Sequence, residues 1–353
     1  MATKTLSPKP GAHFRITLPP LSGRLRPRLI TVCTALAAAT FLLVAWAVSM
    51  GDFPITFTEA LRAVVGIGDP GTLLIVQELR LPRAVVGVLV GFAFGLSGAI
   101  FQTMTRNALA SPDMIGFTQG AGTAVVAGIV FGWTGTVSTQ VLGLLGTFVM
   151  AALVYVLAWR RGTTGYRIIL VGIGLQWMAT SATDYLVARG MQFQAHAALG
   201  WLTGNLNGRD WSQALPLAVT MAVLVPAALA LGRLTRTLQL GDDVAIGLGT
   251  RVQFVRLALL VTGVGLVAFG TAAGGPIAFV ALAAPQIAQR LAGTAWPPPL
   301  AAGLTGALFV VGSDLAAARL FSMELPVGIV TGVLGAPILL WLLIRANRAG
   351  SGG

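Results

Sequence analysis

The sequence predicts an all-α, polytopic membrane protein with about ten transmembrane helices and both termini cytoplasmic, and three observations carry that prediction. The 353 residues are 56% hydrophobic and only 10% charged, with mean hydropathy +0.84, which leaves too little polar surface for a water-soluble globule of this size. Uncharged runs long enough to cross a bilayer recur along the whole chain. The 23 Lys and Arg residues outnumber the 11 Asp and Glu, giving +12, and their placement is one-sided. In a soluble chain such an excess points to nucleic acid; in an apolar chain it is a topology signal, so no nucleic-acid partner is expected.

Residues 1–28 are basic, contain several prolines and have no long apolar stretch, and they read as a cytosolic tail ahead of a transmembrane domain at 29–348 and a short tail at 349–353. A charge at the bilayer centre costs about 2.5 to 3.5 kcal/mol on the insertion scale, so uncharged runs mark the spans. Leu29 to Met50 is the first. Gly51 to Leu79 lies outside, with a short amphipathic stretch ending at Val65. Ala84 to Thr105 is the second span, and Met114 to Trp159, about twice a span in length, is a helical hairpin broken near Gly132 to Gly135. Ile168 to Thr183 makes the fifth if Asp184 sits at its interfacial end, and Trp211 to Gly232 the sixth. Leu257 to Gln289, interrupted at Gly274-Gly275-Pro276, supplies two more, followed by Leu291 to Ser313 and Leu325 to Ile344.

With both ends inside, only Arg62, Arg80, Arg83, Arg189, Arg209 and Arg319 fall outside, and the other seventeen of the 23 cations fall inside. The sole lysines, Lys4 and Lys9, lie at the extreme N-terminus, so no Walker A loop is present and any ATP and Mg would be bound by another polypeptide. Cys33 is the single cysteine and forms no internal disulfide; His13 and His196 are too few for a zinc or haem cluster, and no metal site is expected.

Arg80-Leu81-Pro82-Arg83 stands where the second span begins, and Arg319 ends the ninth on the same side. Helix-end snorkelling is the simpler reading of these arginines; a dock for carboxylates of an outer partner is the alternative. Gly87, Gly91 and Gly95 recur every fourth residue, a close-packing face, and Gly328, Gly332 and Gly335 do the same in the last span. Gln176, Thr180, Thr183 and Asp184 form a polar stripe on the fifth span, which serves either a water-filled path or hydrogen bonds between helices.

These residues resemble the iron-chelate and cobalamin uptake permeases of type II ATP-binding-cassette importers, over about Phe53 to Arg345. The densest stretch is RLPRAVVGVLVGFAFGLSGAIFQTMTRNALASPDMIGFTQGAG, from Arg80 to Gly122; Gly200-Trp201-Leu202-Thr203-Gly204, Leu240-Gly241-Asp242-Asp243-Val244-Ala245 and Glu324-Leu325-Pro326-Val327-Gly328 add to it. The resemblance implies two permease subunits, two ATPase subunits below and a chelate-loaded binding protein above. It makes Arg80, Arg83 and Arg319 the docking residues for that binding protein. It makes 234–252 the coupling segment, two short helices broken by glycine, with Leu240, Gly241, Asp242, Asp243, Ala245 and Leu248 as ATPase contacts. Gln176, Thr180 and Thr183 become pathway-lining residues, and Gly165 and Tyr166 part of a cytoplasmic gate. Departures are Gln286 where the family often has histidine, Ala108 where it has proline, and Asp242-Asp243 where two glutamates are common.

The expected function is therefore a permease subunit that performs no covalent chemistry and moves a ferric siderophore by alternating access, with a paralogue as the favoured second permease. Cobalamin and haem are the alternatives within the family. An ion-coupled secondary transporter is the rival from another class; it needs intramembrane carboxylates, and only Asp184 and Asp314 approach membrane depth.

Overall fold

The computed structural model describes residues 14–16, 23–51, 53, 55–160, 162–321 and 324–350. Of the residues used above, 1–13 and 17–22 of the N-terminal tail, with Lys4, Lys9 and His13, and the tail at 351–353 lie outside that set. A short antiparallel pair, β1 (Phe14–Ile16) and β2 (Gly23–Leu25), precedes the helices. The helices are α1 (Pro27–Ser49), α2 (Phe57–Val64), α3 (Pro70–Leu74), α4 (Leu81–Thr105), α5 (Phe117–Val130), α6 (Thr139–Ala158), α7 (Gly165–Arg189) and α8 (Gln192–Leu202). They continue with α9 (Trp211–Leu238), α10 (Asp242–Gly247), α11 (Val252–Gly274), α12 (Val280–Ala292), α13 (Pro299–Arg319) and α14 (Val327–Gly350).

Ten of these coincide with the ten expected spans, and α2, α3, α8 and α10 are the short elements between them. Six helical stretches are individually long and apolar enough to cross a membrane; α5 and the Val327–Trp341 part of α14 are apolar but shorter. Helix α12 has 13 residues, roughly 20 Å at 1.5 Å per residue, and the non-helical backbone from Gly275 to Phe279 completes its passage. Irregular backbone at that depth is tolerated where protein encloses most of it: Gly275 and Ile277 are buried, Pro276 and Phe279 half-buried, and Ala278 is exposed. The alternation of direction is visible at both ends. The C-terminus of α1, the starts of α4 and α9 and the end of α13 meet around one cavity. At the opposite end Arg28, in the first turn of α1, donates to the carbonyls of Leu291 and Arg290 at the end of α12.

Several boundaries differ from the sequence reading, and three of the shifts have a local cause. Helical structure begins at Pro70, because α3 runs through a π-helical segment, Ile75–Arg80, directly into α4. Pro82 has no N–H to give, and the Leu81 N–H reaches back five residues to the Val76 carbonyl, so the register widens there. Helix α9 continues to Leu238, past the expected end at Gly232, because 233–238 contains neither glycine nor proline and buries Leu238 at its tip. Helix α13 starts at Pro299 rather than Leu291, since Trp296-Pro297-Pro298-Pro299 denies a helix its donors.

Helix α4 is the most enclosed element and α13 its principal neighbour. A Cβ on Gly91 would stand 2.8 Å from the Cα of Ala307, and one on Gly95 would stand 2.9 Å from the carbonyl carbon of Ala302. The expected glycine face is thus a backbone-to-backbone crossing that brings the polar ends of the two helices together. In the last span Gly328 and Gly335 are equally confined, against Thr203 and Phe279, while Gly332 faces open space.

Candidate functional site

The outer end holds a cavity of about 650 Å³ whose wall includes Glu78, Arg80, Arg83, Arg209, Asp314 and Arg319. Arg80 ends the π-helical segment, which turns its side chain toward α1. It donates to the carbonyls of Val48 at 3.0 Å, Ser49 at 3.2 Å and Phe53 at 2.9 Å, closing groups that a helix C-terminus leaves open. Arg83, one turn later, forms a two-pronged pair with Asp314 of α13, Nε to Oδ2 and Nη2 to Oδ1, both at 3.0 Å. Their side chains are only 25% and 17% exposed, so this is a partly desolvated, charge-assisted contact. Arg319 is exposed on the same rim. Arg209 hydrogen-bonds the Asn205 carbonyl at 3.1 Å, and burial lowers its pKa from the ordinary value. The three arginines singled out by the sequence do surround one cavity, but Arg80 and Arg83 also hold the rim together. Asp314 is the partner that sequence reasoning missed. Its signal was an acidic residue in an apolar helix, which requires a neighbouring cation.

The inner end presents a knob made of α10 and its flanks. Leu240, Val244, Ile246 and Leu248 are 50–62% exposed at the aqueous end of the molecule, and Asp243 is exposed beside them. Asp242 turns inward instead: both carboxylate oxygens accept from Nη2 of Arg256 at 3.0 Å, and Arg106 stands 4.0 Å away. Gly241 takes φ +106, a conformation that favours glycine, and so sets the sharp entry into α10. The expectation of two separate short helices is corrected, since the first is the end of α9. Ala245, expected as a contact, is fully buried on the inner side of the knob. Val244 and Ile246 were missed; their signal was apolar side chains between charges in a segment that does not span.

Helix α7 starts next to that knob. Thr164 caps it by accepting from the Arg167 N–H, and Gly165 is packed so closely that a Cβ would lie 2.7 Å from the Cα of Thr105. Tyr166 is 70% exposed. Thr183 is buried between α5 and α7, sharing a 2.8 Å hydrogen bond with Thr123 and donating to the Ala179 carbonyl. As a pathway-lining residue it is therefore corrected to the other reading, a hydrogen bond between helices. Gln176 is half-buried with its stem against Gly116, and Thr180 is half-buried on its own Gln176 carbonyl. The open side of α7 carries Tyr166, Leu170, Gly174, Trp177, Met178 and Tyr185. In the loop between α4 and α5, Asp113 has one enclosed oxygen without a hydrogen-bond partner among the described residues, and burial pushes its pKa up to about 7.

Among the described residues, ten helices at the expected spans, a charged rim at one end and an apolar knob on a bent α9–α11 connection at the other define a multi-pass α-helical membrane protein of the permease type. The chain belongs to the FecCD transport family, whose model matches residues 38–345. It is 37% identical over 322 residues to the ferric enterobactin transport system permease protein FepG of Escherichia coli (strain K12), covering 91% of this chain and 98% of that one. It is 38% identical over 330 residues to the achromobactin transport system permease protein CbrC of Dickeya dadantii (strain 3937), covering 92% of each. The fold matches the inward-facing structure of a metal-chelate type ABC transporter with TM-score 0.80 at 24% identity, over 90% of this chain and 99% of that one.

Proposed function

We propose that this chain is the permease subunit of an ATP-driven importer that carries a ferric siderophore across the bacterial cytoplasmic membrane by alternating access. The observation that carries the reading is near-full-length similarity to FepG and CbrC, whose names give ferric enterobactin and achromobactin transport. The working assembly pairs this subunit with a second permease, for which a paralogue is favoured, with two ATPase subunits and with an extracytoplasmic binding protein. ATP and Mg belong to the ATPase; this chain holds no cofactor and makes or breaks no covalent bond.

In this reading the outer rim receives the binding protein, with Arg319 exposed to it and Arg80 and Arg83 shaping the cavity behind. Leu240, Val244, Ile246 and Leu248, with Asp243, form the knob that sits in the ATPase cleft, since exposed apolar side chains at an aqueous end are stable only when covered. The open face of α7, next to Gln176 and Thr180, faces the path between two permeases, and Tyr166 stands at its cytoplasmic mouth. The reading is tested by purifying the tagged chain from its native host, identifying co-eluting subunits, and titrating the binding protein that docks on the purified complex with ferric siderophores, cobalamin and haem. A co-eluting ATPase and tight binding of a ferric siderophore are expected. Co-elution of no ATPase, or selective binding of cobalamin or haem, would overturn the class or the substrate respectively.

A further inference from the structure

Among the described residues, one charged side chain is almost completely enclosed and is not accounted for by docking, coupling contacts or a path. Arg256, on the second turn of α11, is 2% exposed. A buried guanidinium is costly unless it is paired and hydrogen-bonded; Arg256 meets this through its two terminal nitrogens, while its buried Nε has no hydrogen-bond partner among the described residues. Nη2 holds both oxygens of Asp242, the first residue of α10, at 3.0 Å. Nη1 donates to the backbone carbonyl of Thr163, which lies two residues before α7. The same linker is gripped by Gln253, one turn earlier on α11: its Oε1 accepts from the Thr163 N–H at 3.0 Å and the Thr163 hydroxyl at 3.2 Å, and its Nε2 donates to the Thr163 carbonyl at 3.3 Å. Thr163 itself is 1% exposed. Gly162 has φ +116, and a Cβ there would stand 2.8 Å from the Gln253 amide, so the linker has no room to slip past.

We propose that Arg256 is the positioning residue that ties the coupling knob to the cytoplasmic start of α7, so that a displacement of α10 is passed to the gate around Tyr166 as a rigid movement. The proposal rests on the importer reading above and adds to it the part that carries the force. Its physical basis is that a planar fork bridging two segments resists both shear and separation, which a single point charge does not. Asp242 is the natural lever because it opens α10, and its side chain is only 30% exposed, so α10 stays attached to Arg256 when the exposed apolar face of the knob is pushed. Neutralising the arginine leaves Asp242 with Arg106 at 4.0 Å and with access to water, so the knob keeps a balanced charge. Loss of the fork is therefore expected to uncouple the knob without dissolving it.

The test uses the whole importer, reconstituted with its ATPase and binding protein, carrying Arg256→Gln or Arg256→Lys. Assembly is checked first by co-purification of the ATPase, and uptake and ATP hydrolysis are then measured on the same vesicles. Arg256→Gln is expected to keep ATP hydrolysis while uptake per ATP falls by at least about fivefold, the lower end of ordinary coupling between sites. Arg256→Lys separates bridging from charge balance: assembly stays intact, as in Arg256→Gln, and uptake per ATP is restored only in part. A second readout places one spin label on Gly247→Cys, where an added Cβ meets open space, and one on Ile169→Cys near the start of α7, in a Cys33→Ser background, with the distance followed on ATP addition. In the parent the two labels are expected to move together, so their separation stays nearly constant; in Arg256→Gln the separation changes. Uptake and hydrolysis falling in proportion to assembled complex, full restoration by lysine, or unchanged uptake per ATP would each overturn the proposal. Failure of the parent importer to couple uptake to ATP would overturn the importer reading instead.

Discussion

Replacing Gly91 with alanine tests whether the α4–α13 crossing is as tight as the backbone distances imply. The new Cβ would stand 2.8 Å from the Cα of Ala307 and from the carbonyl carbon of Gly306. Carbon atoms are most comfortable at about 3.5 to 4.0 Å, so the helices must separate by roughly 1 Å, and no flexible side chain is available to yield. Overpacking of this kind costs about 1–3 kcal/mol. Alanine also favours the helix over glycine by about 1 kcal/mol, which masks part of the loss. The same change at Gly232 of α9, where no described atom lies within 4 Å of the added Cβ, brings the helix gain without the clash. The difference between the two variants isolates the packing cost, and at roughly 2–4 °C per kcal/mol in mid-sized domains it amounts to several degrees. Melting followed by size-exclusion chromatography after heating in one detergent is the assay. Gly91→Ala is expected to melt below the parent and Gly232→Ala at or above it; coincident melting of the two variants would refute the backbone-contact argument.

Three further outcomes follow from the geometry. Arg83→Asp should weaken the outer rim and lower the melting temperature, and adding Asp314→Arg should recover part of it; a double-mutant cycle without coupling would show that the two-pronged pair contributes nothing. Val244→Glu with Leu248→Glu should abolish co-purification of the ATPase while leaving the permease folded, and retained co-purification would remove these residues from the coupling surface. Asp113 binds its proton more tightly folded than unfolded, because its pKa is raised from 3.8 to about 7. The folded state is therefore favoured as pH falls from about 8 towards 6, the opposite of a paired carboxylate. Thermal melts of the parent against Asp113→Asn should show that gain in the parent only, and identical pH profiles would reject it.

The span count was legible because the bilayer imposes a length and a charge penalty that any apolar run reveals, and the glycine spacing marked a close-packing face on α4, though not that α13 fills it. The end of α9 was not legible, since hydropathy stops at Arg233 while the helix continues into water on the strength of its backbone and of Leu238. The outer arginines were found, but their internal partners were not: Arg83 and Asp314 are 231 positions apart, and only the fold brings them together. Ala245 and Thr183 were misassigned for one reason, that a motif marks a segment whereas the direction of each side chain is decided by packing. Arg256 carried a signal in advance, a cation just inside an apolar helix, though not the identity of its two partners.

The most direct test of the account is uptake of a radioiron-labelled siderophore into vesicles reconstituted with this chain, its second permease, the ATPase and the binding protein. Uptake that requires ATP and the loaded binding protein, and that is unaffected by collapsing the membrane potential, is the result the account predicts. Uptake driven by an imposed ion gradient with the ATPase omitted would contradict it.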